Sequence, residues 1–225
     1  MRFTDLPAAE RAELDAFGQT VAAEMEAGVG LEDARPIILI DFDGTVNQFP
    51  DDMTPNRHDP ADWFVPDHEQ RVWTDRRHGH LTLTWSGELV DRLRALDARV
   101  LWLSTWQPYT GILNQTLGVD WKTVTWYDPV TLEGLRTGKR RSVLRHLTLA
   151  RPIVWIDDEE TTYDAGLAIQ SAPPLAPVLG IGPNAHIGIS RTQMTLIERF
   201  VHQPPEEPTT TFDIHGDHHD QHWGF

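Results

Sequence analysis

Two aspartates stand directly after a short apolar segment near the start of the chain. The segment Ile37–Ile40 is made of isoleucine and leucine alone, and Asp41, Asp43 and Gly44 follow it. Residues two apart in an extended chain point the same way, so we expect the two carboxylates to lie together at the end of a strand. Like charges this close repel each other unless a cation binds between them or one carboxyl keeps a proton. The pair therefore predicts either a metal site or acid–base chemistry.

Two later apolar segments also end in side chains that could do chemistry. The segments and the residues that follow them are Val100–Leu103 with Ser104 and Thr105, and Ile153–Ile156 with Asp157 and Asp158. Open α/β sheets bind their ligands at the carboxyl ends of the strands. If the three segments are neighbouring parallel strands, their reactive side chains meet at one edge of the sheet.

One segment of the chain is strongly basic. The chain has only two lysines, Lys122 and Lys139, and Lys139 lies in the segment 136–151, which contains basic but no acidic residues. The segment predicts a helix with a basic, solvated face, on which Arg140 is a candidate contact for an anionic substrate.

These elements indicate an α/β domain with three layers. The apolar runs have the length and β-branching of strands buried on both faces, as in a parallel sheet, and helical patterns such as Arg191 to Val201 alternate with them. We expect a Rossmann-like α/β/α core over residues 36–202, with helices on both faces. An N-terminal helical extension precedes it over residues 1–35, and composition predicts a disordered acidic and histidine-rich tail over residues 203–225.

Residues 47–80 interrupt this pattern. The segment has no clear periodicity and contains several prolines, which favours a functional loop, flap or small insertion. Arg71, Arg76 and Arg77 make its second half locally basic and are candidate contacts for an anionic substrate, although a solvated surface explains them equally well.

Composition narrows the class of protein. The formal charge of −15 argues against broad binding to nucleic acid, which depends on neutralising phosphates with Lys and Arg. The chain has no cysteine, so a metal would have oxygen or imidazole ligands, and carboxylates favour a hard ion such as Mg²⁺. The absence of a signal peptide or an apolar run of membrane-spanning length leads us to expect a cytoplasmic protein without a membrane partner.

The order of these residues resembles the haloacid dehalogenase (HAD) superfamily. Its first motif, Asp-x-Asp-Gly-Thr, is matched by Asp41-Phe42-Asp43-Gly44-Thr45. The hydroxyl of its second motif resembles Ser104, with Thr105 as the alternative, and its basic third motif resembles Lys139 rather than Lys122. The acidic pair of its fourth motif resembles Asp157 and Asp158. Within the superfamily, the tryptophan after the second motif is similar to that of small bacterial and phage HAD-like proteins with a minimal cap.

The resemblance implies a role for each matching residue. Asp41 would attack a phosphoryl group, and Asp43 would protonate the leaving oxygen and later activate water. The implied cofactor is Mg²⁺, held by Asp41, the backbone carbonyl of Asp43 and an acid of the fourth motif, with Asp158 favoured over Asp157. Ser104 would hydrogen-bond the phosphate, and Lys139 would neutralise its charge. Gly44, Thr45 and Thr105 would be further phosphate contacts.

The resulting hypothesis is a Mg²⁺-dependent phosphohydrolase that cleaves a phosphomonoester of a small molecule or nucleotide. A nucleotidase or nucleic-acid end (3′-) phosphatase is the first alternative, and Arg71, Arg76, Arg77 and the basic helix would then hold the substrate. A catalytically idle HAD-like binding protein is the second alternative, which the intact Asp41 and Asp43 argue against.

Overall fold

A parallel sheet of six strands forms the centre of the protein. The computed structural model describes residues 34–130, 138–161, 169 and 174–215. In chain order the strands are β1 Ile37–Ile40, β2 His68–Trp73, β3 His80–Trp85, β4 Arg99–Trp102, β5 Lys122–Thr123, β6 Ile153–Ile156, β7 Val178–Gly182 and β8 Thr210–Ile214. The order across the sheet is β5-β4-β1-β6-β7-β8, and every pair in it is parallel. The predicted α/β class with a parallel sheet is confirmed, and the sheet is consistent with a Rossmann-like core.

Five α-helices accompany the strands in the residues that the structure describes. They are α1 Thr54–Arg57, α2 Gly87–Arg94, α3 Thr110–Leu117, α4 Gly138–Leu147 and α5 Arg191–His202, and a 3₁₀ turn, Gln107–Tyr109, precedes α3. No helix within these ranges is long and apolar enough to cross a membrane. The predicted N-terminal helix lies outside the described residues.

The central strand β1 is buried on both faces because its side chains alternate between two apolar clusters. Ile38 and Ile40 belong to a cluster that includes residues of α2, α3 and α5. Ile37 and Leu39 belong to a second cluster that includes Val143 of α4. All four residues of β1 are apolar because both faces of the strand pack against a hydrophobic cluster.

The insertion after β1 is more regular than its sequence suggests. It contains α1 and an antiparallel hairpin of β2 and β3, which extends past residue 80 to Trp85. One face of the hairpin buries Val72, Leu83 and Trp85, while most of its other side chains are exposed. A single apolar face on a polar ribbon produces only a weak alternation, so the pattern was not visible in the sequence.

The expectation of a disordered tail over residues 203–225 is wrong for residues 210–214. These residues form β8, which extends the sheet beyond β7 with Val178 paired to Thr210. Phe212 explains why a polar segment pairs there, because its ring occupies the space beside Gly180, where a Cβ would lie 2.4 Å from the ring. Residues 216–225 lie outside the described residues.

Candidate functional site

The carboxyl ends of β4, β1 and β6 meet at one edge of the sheet and carry the residues singled out from the sequence. Ile40 pairs with Trp102 on one side and with Ile156 on the other. The Asp41 amide donates to the carbonyl of Ile156 over 2.9 Å, so the chain stays in register as β1 ends. Three segments that are far apart in sequence therefore deliver their polar side chains to the same place.

Lys139 joins two of the carboxylates in a buried ion-pair group. Its ammonium donates to Asp157 Oδ2 over 2.9 Å and also to Asp41 Oδ2. All three side chains are largely or fully buried. Burial alone would lower the pKa of Lys139, but the Asp157 and Asp41 carboxylates outweigh it and raise the pKa, which keeps the ammonium charged.

Asp158 adds a third carboxylate to this group. One oxygen from each of Asp41, Asp157 and Asp158 lies within 4.8 Å of the others. Burial, followed by repulsion from Asp157 and Asp41, raises the pKa of Asp158 to about 8. Full burial also raises the pKa of Asp157, and the neighbouring ammonium opposes that rise.

The donor set fits a hard divalent cation. The group has three carboxyl groups and a single ammonium, so it would have a surplus of negative charge whenever all three carboxyl groups are ionised. Carboxylate oxygens are the ligands that Mg²⁺ accepts in proteins. Asp41, Asp157 and Asp158 are thus the residues that could hold the metal, whereas the side chain of Asp43 is outside this group of three.

Gly44 makes room for the Asp158 carboxylate. It has a φ of 65°, in the left-handed region, and a Cβ at this position would lie 2.1 Å from Asp158 Oδ2. A glycine is therefore required both by the turn and by the approach of the acid. The hydroxyl of Thr45 stabilises the same turn, donating to the carbonyls of Asp41 and Phe42.

Asp43 lies beside this group with both carboxylate oxygens occupied. Asn47 Nδ2 donates to Oδ1 over 2.7 Å, and the indole nitrogen of Trp106 donates to Oδ2 over 2.8 Å. Burial raises the pKa of Asp43 above its ordinary value, while these two hydrogen bonds lower it in part. The two residues of the Asp-x-Asp pair therefore have different surroundings, an ammonium for Asp41 and two neutral N–H donors for Asp43.

The two candidate hydroxyls after β4 differ in exposure. Ser104 is fully buried, and its Oγ accepts the Trp106 amide over 3.2 Å, which leaves the hydroxyl hydrogen free to donate. Its carbonyl accepts the indole N–H of Trp126 over 3.0 Å, and that indole ring lies 5.9 Å from the Lys139 ammonium. Thr105 is exposed, and its carbonyl accepts the hydroxyl of Tyr127 over 2.9 Å.

The candidate arginines are exposed, and only Arg140 has a contact near the carboxylate group. Arg71 is on β2, Arg76 and Arg77 are in the turn of the hairpin, and Arg140 is on α4. Arg140 approaches Glu160, with Nε 3.3 Å from the carboxylate, which places it near the loop of the acidic pair. For the three hairpin arginines, the structure gives no contact with the carboxylate group in the residues that it describes.

Three residues in contact with the site were not predicted to have a role there. Asn47 and Trp106 hold Asp43, and Trp126 connects the Ser104 backbone to the surroundings of Lys139. The tryptophan after Ser-Thr was visible in the sequence, but a buried tryptophan is most often a core residue. No spacing rule indicates that its N–H reaches a carboxylate 63 positions away.

We compared the chain with models of protein families, with curated proteins and with solved structures, and none of these comparisons found a match.

Proposed function

We propose that this protein is a Mg²⁺-dependent phosphohydrolase of the HAD type, which cleaves a phosphomonoester through an aspartyl-phosphate intermediate. The observation that carries the proposal is the buried group in which Asp41 shares the Lys139 ammonium with Asp157 while Asp158 lies alongside. Phosphoryl transfer needs a nucleophile, neutralisation of the phosphoryl oxygens and a proton for the leaving group. This edge of the sheet has a residue for each need.

In the first step a carboxylate oxygen of Asp41 forms a bond to phosphorus, and the bond from phosphorus to the ester oxygen breaks. Asp43 gives its proton to that oxygen, so the leaving group departs as an alcohol. Lys139, already paired with Asp41, balances charge as it spreads over the phosphoryl oxygens. The Ser104 hydroxyl hydrogen donates to one of those oxygens.

In the second step water attacks the phosphorus of the aspartyl phosphate. Asp43, now a carboxylate, takes a proton from the water, and the bond between phosphorus and Asp41 breaks. Inorganic phosphate leaves, the Asp41 carboxylate is restored and Asp43 is again protonated. When bound by Asp41, Asp157 and Asp158, Mg²⁺ would neutralise phosphoryl charge and offset the repulsion among the carboxylates.

In this proposal the α/β domain is a HAD core, and the β2–β3 hairpin is a small flap in place of a large cap. This flap is small, because the insertion consists of a two-stranded ribbon and one four-residue helix. A site without a large cap accepts substrates of various sizes. We propose a phosphorylated small molecule or nucleotide as substrate, because the formal charge of −15 argues against broad binding to nucleic acid.

Phosphate release from an aryl phosphate tests the proposal. Purified protein with Mg²⁺ should hydrolyse 4-nitrophenyl phosphate, and Asp41→Asn should abolish turnover because an amide is not a competent nucleophile. Asp97→Asn is the control, since Asp97 is an exposed aspartate that follows α2. Equal turnover in Asp41→Asn and Asp97→Asn would contradict the proposed role of Asp41 as the nucleophile.

The exposed arginines of the hairpin favour one alternative, a nucleotidase or a nucleic-acid 3′-end phosphatase. Arg71, Arg76 and Arg77 are exposed on the same ribbon as Trp73, whose side chain is 52% exposed. A comparison of mononucleotides, 3′-phosphorylated oligonucleotides and sugar phosphates separates these substrates. A preference for oligonucleotide ends that weakens with salt would favour the alternative, because phosphate contacts are screened by ions.

A further inference from the structure

The two N–H groups that hold Asp43 suggest a role beyond stability. We infer that Asn47 and Trp106 are positioning residues that fix the Asp43 carboxyl group so that its proton is exchanged only with the substrate or with water. The inference rests on the proposed phosphatase chemistry, in which Asp43 acts as acid and then as base. Neither residue was part of the predicted site.

The orientation of Asn47 is fixed by the hairpin. Its Oδ1 accepts the backbone N–H of Thr84 over 2.8 Å, and an amide N–H can only donate. The oxygen of the Asn47 side chain must therefore face β3, and its nitrogen must face Asp43 at 2.7 Å. The backbone N–H of the adjacent Gln48 also donates to the Thr84 carbonyl over 2.8 Å, so two hydrogen bonds join this segment to β3.

The position of Trp106 is fixed by burial, by a ring contact and by two hydrogen bonds. It is 6% exposed, and its ring meets Phe42 edge-on with the ring centres 5.3 Å apart. Its indole N–H donates to Asp43 over 2.8 Å, and its backbone N–H donates to Ser104 Oγ over 3.2 Å. One residue thus connects the proposed acid to the proposed phosphate contact.

Both partners of Asp43 are donors that cannot take up a proton. An indole nitrogen and an amide nitrogen have no acceptor capacity, so a proton on Asp43 cannot pass to either of them. Each carboxyl oxygen keeps one lone pair outside these hydrogen bonds, and the proton must lie there. Fixing both oxygens thereby restricts the proton to these two positions and limits the directions in which it leaves and returns, which is how positioning contributes to catalysis.

The dependence of the rate on the leaving group tests this inference. In Trp106→Phe the ring remains but its N–H is lost. Trp102→Phe is the matched control, because Trp102 is also buried and loses an indole hydrogen bond of 2.8 Å, in its case to Asn114. The substrates are 4-nitrophenyl phosphate, whose leaving group needs no proton, and an alkyl phosphate, whose leaving group does.

We expect Trp106→Phe to lower the single-turnover rate of the alkyl ester by roughly tenfold or more, because general acid catalysis typically contributes 10²- to 10⁴-fold. The single-turnover rate of 4-nitrophenol release should be nearly unchanged, while its steady-state turnover falls, because water activation also needs Asp43. The control should show the same ratio between substrates as the wild type. Equal losses on both substrates in the single-turnover phase would overturn the inference.

Two further arms keep the result decisive. If Trp106→Phe does not fold, 3-benzothienylalanine at position 106 replaces the N–H by sulfur in a ring of the same shape, and the same expectations hold. Wild-type protein that is inactive on every phosphomonoester would contradict the proposed function itself, and the positioning role with it. Active wild type with an unaltered leaving-group dependence in the position-106 variants would contradict the positioning role alone.

Discussion

At the scale of single residues, the buried Lys139 ammonium holds two carboxylates that would otherwise repel each other. Lys139→Met leaves Asp41 and Asp157 without their counter-charge. We expect the free energy of unfolding at pH 8 to fall by roughly 3–5 kcal/mol, as for other buried pairs that lose one partner. Urea unfolding measures the change.

The second lysine supplies the control for this variant. Lys122→Met removes an exposed ammonium from β5 and should leave the free energy of unfolding almost unchanged. Adding Asp157→Asn to Lys139→Met should recover part of the lost stability, without phosphatase activity. A Lys139→Met protein as stable as Lys122→Met would show that the buried group does not depend on the ammonium.

The pKa of Asp158 makes the stability of the metal-free protein depend on pH. It is raised by burial from an ordinary value of 3.8 to about 8, so across this window the folded state keeps a proton that the unfolded chain has lost. The free energy of unfolding should therefore fall as the pH rises from about 4 to about 8. Asp158→Asn cannot titrate and should show a smaller fall.

Urea unfolding with EDTA at pH 5 and at pH 8 measures this difference. Mg²⁺ should reduce the fall in the wild type, because it stabilises the ionised carboxylate, and should have little effect on Asp158→Asn. If the wild type and the variant lose the same stability between the two pH values, Asp158 is not the group that binds the proton.

At the scale of elements, the hairpin is attached to the core at both of its ends. Thr84, near the end of β3, is bonded to Asn47, and at the turn Asp75 accepts a hydrogen bond from the Tyr109 hydroxyl. That hydrogen bond lowers the pKa of Asp75 to about 2 and raises the pKa of Tyr109 to about 12. The contribution of Asp75 is lost only as the pH falls from 3.8 through about 2, and that of Tyr109 only as it rises from 10.0 through about 12, so the attachment persists at neutral pH.

Tyr109→Phe should release the turn while keeping the packing of the ring. We expect the backbone amides of residues 74–79 to exchange hydrogen faster, because local opening costs less without this contact. Tyr127→Phe is the control, since its hydroxyl bonds to the Thr105 carbonyl and not to the hairpin. Exchange measured by mass spectrometry that is equal in the two variants would mean that the hydrogen bond from Tyr109 to Asp75 does not hold the turn.

The sequence was most informative about elements buried on both faces. The bounds of β1 and β6 were predicted without error, because a run of four large apolar residues rich in isoleucine, followed at once by aspartates, is typical of a strand buried on both faces. β8 was missed because Thr210–Ile214 is largely polar and lies at the sheet edge, where Phe212 packs beside Gly180 and Ile214 beside Gly182. Whether an edge strand forms depends on the strand that it pairs with, and the composition of the segment itself does not show that pairing.

The same distinction holds for the site. Asp41, Lys139, Asp157 and Asp158 could be predicted because strand ends and a helix start fix their positions. Asn47 and Trp106 lie in connections whose paths are set by distant contacts, with the hairpin for one and with Phe42 for the other. Sequence spacing predicts which side chains lie at the ends of neighbouring strands. It does not predict which loop side chains contact them.

At the scale of the whole molecule, the charge of −15 should slow the approach of an anionic substrate. Added salt screens this repulsion, so we expect kcat/KM for a small phosphomonoester to rise between low and moderate ionic strength. Steady-state rates at a series of NaCl concentrations with constant Mg²⁺ measure this. A value that falls with salt would indicate local attraction by the exposed arginines and would favour a polynucleotide substrate.

The position of β1 between β4 and β6 also has a consequence for biosynthesis. Its two neighbours are encoded much later in the chain, β6 after more than half of it has been made. A nascent chain that has just completed the Asp-x-Asp segment has no strand beside it and no ammonium to pair with its acids. Contacts between distant segments form slowly, because the intervening loop must first be closed. The buried carboxylate group therefore assembles late, and a C-terminally truncated translation product that ends before β6 would lack Asp157 and Asp158.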